Sequence, residues 1–154
     1  MRRARTFLIP ALAILATLAC NRARVVTRKN PASLSKPNGY THVVETSGGR
    51  TVYISGQVAL DRTGALVGAG DLKAQTRQVF ENLKAALADS GGTLDDVVKI
   101  TIFMTDLSQI QEFREIRNGY FPSVVPASTL VQVVRLARPE FLIEIEAVAV
   151  VKPG

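Results

Sequence analysis

The clearest pattern along this chain is an alternation. In Phe141-Leu-Ile-Glu-Ile-Glu-Ala-Val-Ala-Val150 two glutamates alternate with apolar residues, with the period of a β-strand. One face carries Phe141, Ile143, Ile145, Ala147 and Ala149 and is a core face. The other carries Leu142, Glu144, Glu146, Val148 and Val150, two carboxylates among apolar neighbours. A strand with one face in water normally shows more polar groups on its outer side. Two readings follow. Either this is an edge strand whose glutamates face water and deter edge pairing, or another subunit covers the face and holds Glu144 or Glu146 in the seam. A carboxylate in such a seam must find a partner or change its protonation, which makes it a candidate for acid–base work.

Upstream, Thr41–Glu45 and Thr51–Ser55 are short β-type runs joined by Thr46-Ser-Gly-Gly-Arg50, whose glycines supply the turn. Gln57–Leu60 extends the second run to the turn Asp61-Arg-Thr-Gly64. Asp71 is placed to cap a helix reaching Ala88, with Leu72, Thr76, Val79, Leu83, Ala86 and Leu87 at helical spacing and Ser90-Gly91-Gly92 ending it. Val97–Thr105 is β-branched and apolar apart from Lys99, the signature of a central strand. A second helix follows Asp106 or Ser108, with Leu107, Ile110, Phe113 and Ile116 or Arg117 to Tyr120 on one side, and ends before Pro122. Thr129–Val134 and the last alternation complete a β-β-α-β-α-β-β order. It predicts a single α+β domain, a sheet with both helices on one face. The other face is left to solvent or a partner, and the glutamates fall there.

The ends change the picture. Arg2, Arg3 and Arg5 precede an apolar run from Phe7 to Ala19 broken only by Pro10 and Thr17. The run is shorter than the roughly 20 residues that span a bilayer, so residues 1–19 read as a signal peptide. They lead into Cys20, the one cysteine, directly after the small Ala19, which resembles a bacterial lipoprotein signal with Cys20 as the lipidated residue. Ordinary cleavage near Ala19, or an uncleaved anchor, are the alternatives. With no second cysteine an intramolecular disulfide cannot form, which does not contradict export. Residues 20–40 hold Pro31 and Pro37 among small and basic residues, the composition of an extended tether; residues 41–154 are the folded domain. The net charge of +6 belongs to the first 40 residues, because residues 41–154 carry 11 Lys+Arg against 13 Asp+Glu. A nucleic-acid binder carries its positive charge on the folded surface, so nucleic acid is not an expected partner. The basic tether suits anionic lipid headgroups, and the expected location is the periplasmic face of a bacterial membrane, or the periplasm.

Taken together, Lys36-Pro-Asn-Gly-Tyr40, Val52-Tyr-Ile-Ser-Gly-Gln57, Gln75-Thr-Arg77, Glu81-Asn-Leu-Lys84, the run from Asp95 to Leu107, Pro126-Ala127 and Ile143-Glu-Ile-Glu-Ala147 resemble the RidA/YjgF family, also called L-PSP or reactive-intermediate deaminases. The likeness runs from near residue 25 to the C-terminus. It implies a chorismate-mutase-like fold and a homotrimer whose inner sheet faces form a barrel, with clefts between neighbouring subunits. It also implies hydrolysis of reactive enamines and imines, such as 2-aminoacrylate, to keto compounds and ammonia. No metal or cofactor is implied, since an iminium carbon is already electrophilic. The chemistry needs a group that holds and deprotonates water and a cation for the substrate carboxylate. By the resemblance, Glu144 orients the water, Tyr40 lines the cleft mouth, and the Ser55-Gly56 backbone helps to hold the ligand. On the residues alone, Tyr40 equally packs in a loop beside Pro37, and Ser55-Gly56 equally ends a strand at a bulge.

The chain departs from the family at Ser128. Members with deaminase activity have Pro-Ala-Arg where this chain reads Pro126-Ala127-Ser128, and that arginine grips the substrate carboxylate with a two-pronged hydrogen bond. A serine hydroxyl does not replace a permanent planar charge, and losing such a contact costs roughly 2–5 kcal/mol of binding. Arg135, Arg114 and Arg117 are the candidates to take its place; each otherwise reads as a solvated or ion-paired surface arginine. His42, the one histidine, has no second His or nearby Cys with which to form a zinc site, and Asp95-Asp96 reads as a loop pair at a strand entrance. Two function classes remain in view: an imine deaminase with altered substrate range, and a non-enzymatic trimer that binds a small metabolite. Ribonuclease, an old label of the family, is disfavoured by the acidic body and the lack of a basic aromatic groove.

Overall fold

The structure is a computed structural model in which residues 23–153 are described; the leader and Cys20 lie outside them. The elements are β1 (Val25–Lys29), β2 (Val43–Ser47), β3 (Arg50–Gln57), α1 (Leu72–Asp89), β4 (Val97–Met104), α2 (Ile110–Tyr120), β5 (Ala127–Gln132) and β6 (Ile143–Val151), with short 3₁₀ turns before β4 and α2. β3, β6, β4 and β5 form one mixed sheet in that order. β6 runs antiparallel to both neighbours, and β4 and β5 are parallel.

A side chain caps the start of α1 and the start of the 3₁₀ turn that leads into α2. The Asp71 carboxylate accepts from Ala74 N at 3.0 Å, and Asp106 accepts from Ser108 N at 2.8 Å in the turn that leads into α2. Val79, Phe80 and Leu83 of α1 and Phe113 of α2 bury against Ile100, Ile102, Ile143 and Ile145 of the central strands. Both helices therefore cover one sheet face, as the element order predicts. Lys99, Thr101 and Phe103 of β4 and Glu144, Glu146 and Val148 of β6 share the other face, where none is fully buried.

The N-terminal region differs from its composition. Residues 25–29, read as tether, form β1 and pair antiparallel with β2 in a separate two-stranded sheet. Arg24 and Arg28, flanking and within β1, are half-buried. Arg24 pairs with Asp96 at 2.5 Å, and Arg28 donates to Val97 O at 3.4 Å, so both dock at the entrance to β4. The turn at Gly48 and Gly49, with φ of 63° and 73°, accordingly links strands of two sheets rather than closing a hairpin. β3 also stops at Gln57; beyond it, Leu60 makes one bridge to Leu66 around the Asp61–Gly64 turn.

One polar side chain ties the helix layer to β6. Gln75 is fully buried in α1. Its Nε2 donates to Gly68 O at 3.0 Å and Glu140 O at 2.9 Å, and its Oε1 accepts from Leu142 N at 2.8 Å. The loop entering β6 is thus held from beneath. Gln75→Leu keeps the volume but removes three part-buried hydrogen bonds, each worth about 0.5–1.5 kcal/mol net. Urea unfolding is expected to show a loss of about 1.5–4.5 kcal/mol in total; a loss under about 1 kcal/mol would mean that the loop is held by other contacts.

Candidate functional site

Glu144 stands on β6 opposite Phe103 of β4, on the face without helices. Beside it, β3 breaks register. Ile54 lies opposite Ala147 and Gln57 opposite Ile145, so Ser55 and Gly56 together face the single residue Glu146. This is a β-bulge, a device that bends a strand and re-aims its backbone. A Cβ at Gly56 would lie 1.8 Å from Glu144 Oε1 and 2.7 Å from the carboxyl carbon. The carboxylate therefore occupies the space that any side chain at position 56 would need. Glu144 is half-buried, and among the described residues no ion pair reaches it. The bulge read for Ser55-Gly56 is present, near the end of β3.

The surrounding face is part polar and part apolar. Tyr53, Ser55, Lys99, Thr101, Glu146 and Val148 contribute to the lining of a shallow cavity of about 240 Å³. Lys99 donates to the Thr129 hydroxyl. Burial holds its ammonium below the usual lysine range, and the charge of Glu146 opposes that shift. Tyr53 is 80% exposed and Val131 40% exposed on this sheet.

The remaining candidates gather elsewhere. Ser128 lies in register with Ile100, and Leu130, two residues on, packs on the core. Ser128 thus points to the helix side at the edge of the sheet. The Tyr40 segment is stitched to the chain just before it: Thr41 N donates to Pro126 O at 3.0 Å and Thr41 Oγ1 to Val125 O at 2.6 Å. Tyr40 meets His42 edge-on, with ring centroids 5.1 Å apart, and His42 Nε2 lies 2.8 Å from Ser35 O. Arg135 is exposed in the loop beyond β5. One chain therefore brings Glu144, Ser55 and Gly56 together on one side and Tyr40 with Ser128 on the other. Asp96 accepts from Thr93 N at 2.8 Å as well as pairing with Arg24, a structural role.

Arg117 overturns its surface reading. It is 6% exposed, and no ion pair among the described residues includes it. Its Nη2 and Nε donate to Asn118 Oδ1 at 2.9 and 3.3 Å, and the guanidinium lies 5.8 Å from the Phe113 ring centroid. Burial, and then the charge of Arg114, lower its pKa from the usual arginine value. Gly39, at φ 73°, abuts it: a Cβ there would meet Nη2 at 1.8 Å. The i, i+4 spacing from Phe113 carried this signal in the sequence. In front of Gly39 lies a cavity of about 660 Å³ whose lining includes Arg28, Lys36 and Tyr40 but no carboxylate.

A mixed sheet backed on one face by two helices makes this an α+β domain, and its YjgF-like form is the one shared with the solved relative described next. Residues 30–151 match the family described as Endoribonuclease L-PSP. A RutC family protein of Pyrococcus abyssi is 39% identical over 127 residues, which cover 81% of this chain and 94% of the relative. The 3-aminoacrylate deaminase RutC of Acinetobacter baylyi is 40% identical over 108 residues, covering 70% and 85%. The solved structure of a Rid family protein, YyfB, from Yersinia pestis is similar at a TM-score of 0.77 and 38% identity, over 82% of this chain and 98% of that one. The chain belongs to the RidA/YjgF/L-PSP family.

The contact between Gly56 and Glu144 is testable by itself. Gly56→Ala should destabilise the fold by about 1–3 kcal/mol through overpacking, and Glu144→Ala in the same chain should recover most of it. A double-mutant cycle in denaturant measures the coupling; simple additivity would mean that the carboxylate does not rest on Gly56.

Proposed function

We propose that this protein hydrolyses small reactive enamines or imines to keto compounds and ammonia, with Glu144 holding and deprotonating the attacking water. The observation that carries this reading is the half-buried carboxylate of Glu144, set against the bare Gly56 backbone with no cation among the described residues paired to it. A base so placed is open to a water and a ligand instead of being committed to a salt bridge. The name of the Acinetobacter relative, a deaminase of an aminoacrylate, supports the same chemistry. An enamine first takes a proton from solvent at carbon to become the iminium; water adds to that electrophilic carbon as Glu144 takes its proton, and return of the proton to nitrogen lets the carbinolamine collapse to the keto compound and ammonia.

The cleft in this proposal lies between subunits of a homotrimer. The large exposed apolar groups Tyr53 and Val131 on the uncovered sheet favour burial against another copy. Tyr40 and Ser128 can meet Glu144 only if they come from a neighbouring chain. Export belongs to the same proposal: the run from Phe7 to Ala19 and Cys20 after it support a lipidated protein held at the periplasmic side of a membrane. Ligand binding without turnover is the second reading, and Ser128 favours it.

With 2-aminoacrylate generated in situ, the wild type should accelerate pyruvate release, and Glu144→Gln should lower the rate about 10²–10⁴-fold without changing the sedimentation of a trimer. No acceleration by the wild type would overturn the deaminase reading, and a monomer would overturn the shared cleft.

A further inference from the structure

We infer that the domain rests directly on the lipid headgroups by the end opposite Glu144, held there by a leash of a few residues and not by charge. The inference rests on the proposed lipidation of Cys20 and is independent of the hydrolase reading.

The fold takes up the chain soon after Cys20. Arg24 is half-buried, pairs with Asp96 at 2.5 Å and donates to Asp95 O at 3.3 Å. β1 starts at Val25, with Ser47 as its partner. Four residue steps therefore separate a lipidated Cys20 from a fixed point on the domain, and fully extended they reach no more than about 14 Å. The headgroup layer of one leaflet takes up about 5–8 Å of that. What remains is less than the width of one helix with its side chains, about 10–12 Å. A tether running to residue 40 would let the domain stand away from the bilayer. The docking of Arg24 and the pairing of β1 remove that freedom.

Strand direction decides which end meets the lipid. A Cβ at Gly49 would lie 3.3 Å from Arg24 Cβ, and Ala23 and Arg24 share a cavity wall with Lys152 and Pro153. The end of α1 is there too: Arg50 donates to Ser90 O at 2.6 Å, and a Cβ at Gly92 would meet the Val151 side chain. β6 and α1 both run towards this end, and their starts are joined at the other by the bonds of Gln75 to Glu140 and Leu142. Glu144 stands near the start of β6 and Val151 at its finish, about 23 Å apart at the rise of a strand. The acid is thus kept clear of the bilayer.

Charge is not what seats the domain. This end carries exposed Arg50 and Lys152 against exposed Asp89 and Asp95, while Arg24 and Asp96 neutralise each other. Salt screens such surface charges but does not lengthen a leash.

The full chain, taken from bacterial membranes and checked by intact mass for lipid on Cys20, is placed in vesicles that carry a nitroxide-headgroup lipid. A fluorophore is attached through Asp89→Cys at the end of α1 or Lys73→Cys near its start, both exposed positions. The helix sets the two labels about 24 Å apart, so the label at Asp89→Cys should be quenched at least about threefold more, with or without about 0.5 M salt. Lys152→Cys should repeat the near-end result without touching the helix. About 20 Gly-Ser residues inserted after Arg22 extend the reach by about 25 Å and should erase the difference while the protein stays on the vesicles. Equal quenching at natural leash length, or stronger quenching at Lys73→Cys, would overturn the seat and leave the lipid anchor standing. A difference that survives the insertion would overturn the leash as its cause. A Cys20 without lipid would overturn the anchoring and the seat together.

Discussion

A strand that alternates with period two has two registers open to it, and for β6 they are far from equal. In the observed register, Ile143, Ile145, Ala147 and Ala149 enter the core, all of them 4% exposed or less. A slip of one residue would drive Glu144 and Glu146 beneath the helices, at a cost of several kcal/mol for each buried charge. β6 is paired on both edges, and its entry is fixed twice more: Leu142 N donates to Gln75, and Leu142 O accepts from Thr105 N at 3.1 Å. The place of the glutamate over the Ser55-Gly56 bulge follows from this register. A carboxylate at that spot is held by the whole sheet instead of by a flexible loop, which is what a positioned base requires.

The face assignments of β6 and α1 were legible because each side chain there reports its own burial at the element's own period. Their tertiary ties were not. Gln75 is a polar residue at an apolar helical position, and its partners Glu140 and Leu142 lie 65 and 67 positions away. No local pattern reveals such a contact. β1 escaped for a different reason: its half-buried positions include Arg28, beside half-buried Arg24, whose aliphatic stems pack while their charged ends reach the entrance of β4. A basic, proline-flanked stretch therefore looks like linker and behaves as sheet.

The relation between Ser128 and Glu144 was beyond the sequence altogether. Each strand alone gives its own parity, but which parity of β5 matches which of β6 depends on two pairings with β4, one parallel and one antiparallel. Only the assembled sheet puts the two residues on opposite sides. Arg117 shows the converse case. Its spacing from Phe113 marked the buried side of α2, yet a charge at a core position is uncommon enough that the surface reading prevails without a structure.

The distribution of charge bears on how copies of this chain meet. On the uncovered face, Glu144 and Glu146 stand with a single lysine, Lys99, among the residues set out above. Near Tyr40, Arg28 and Lys36 line a cavity with no carboxylate among its described lining residues, and Arg117 abuts the adjacent Gly39. A two-fold contact through the uncovered face alone would bring like charges together, since each surface then meets itself. A head-to-tail contact instead sets the acidic face of one copy against the basic edge of the next, and the two halves of the proposed site become complementary. Such a contact must either close into a ring or propagate as a filament, and closure is what the proposed trimer supplies. The separation of Glu144 from Ser128 on opposite faces of one sheet is then the geometry that a shared cleft requires.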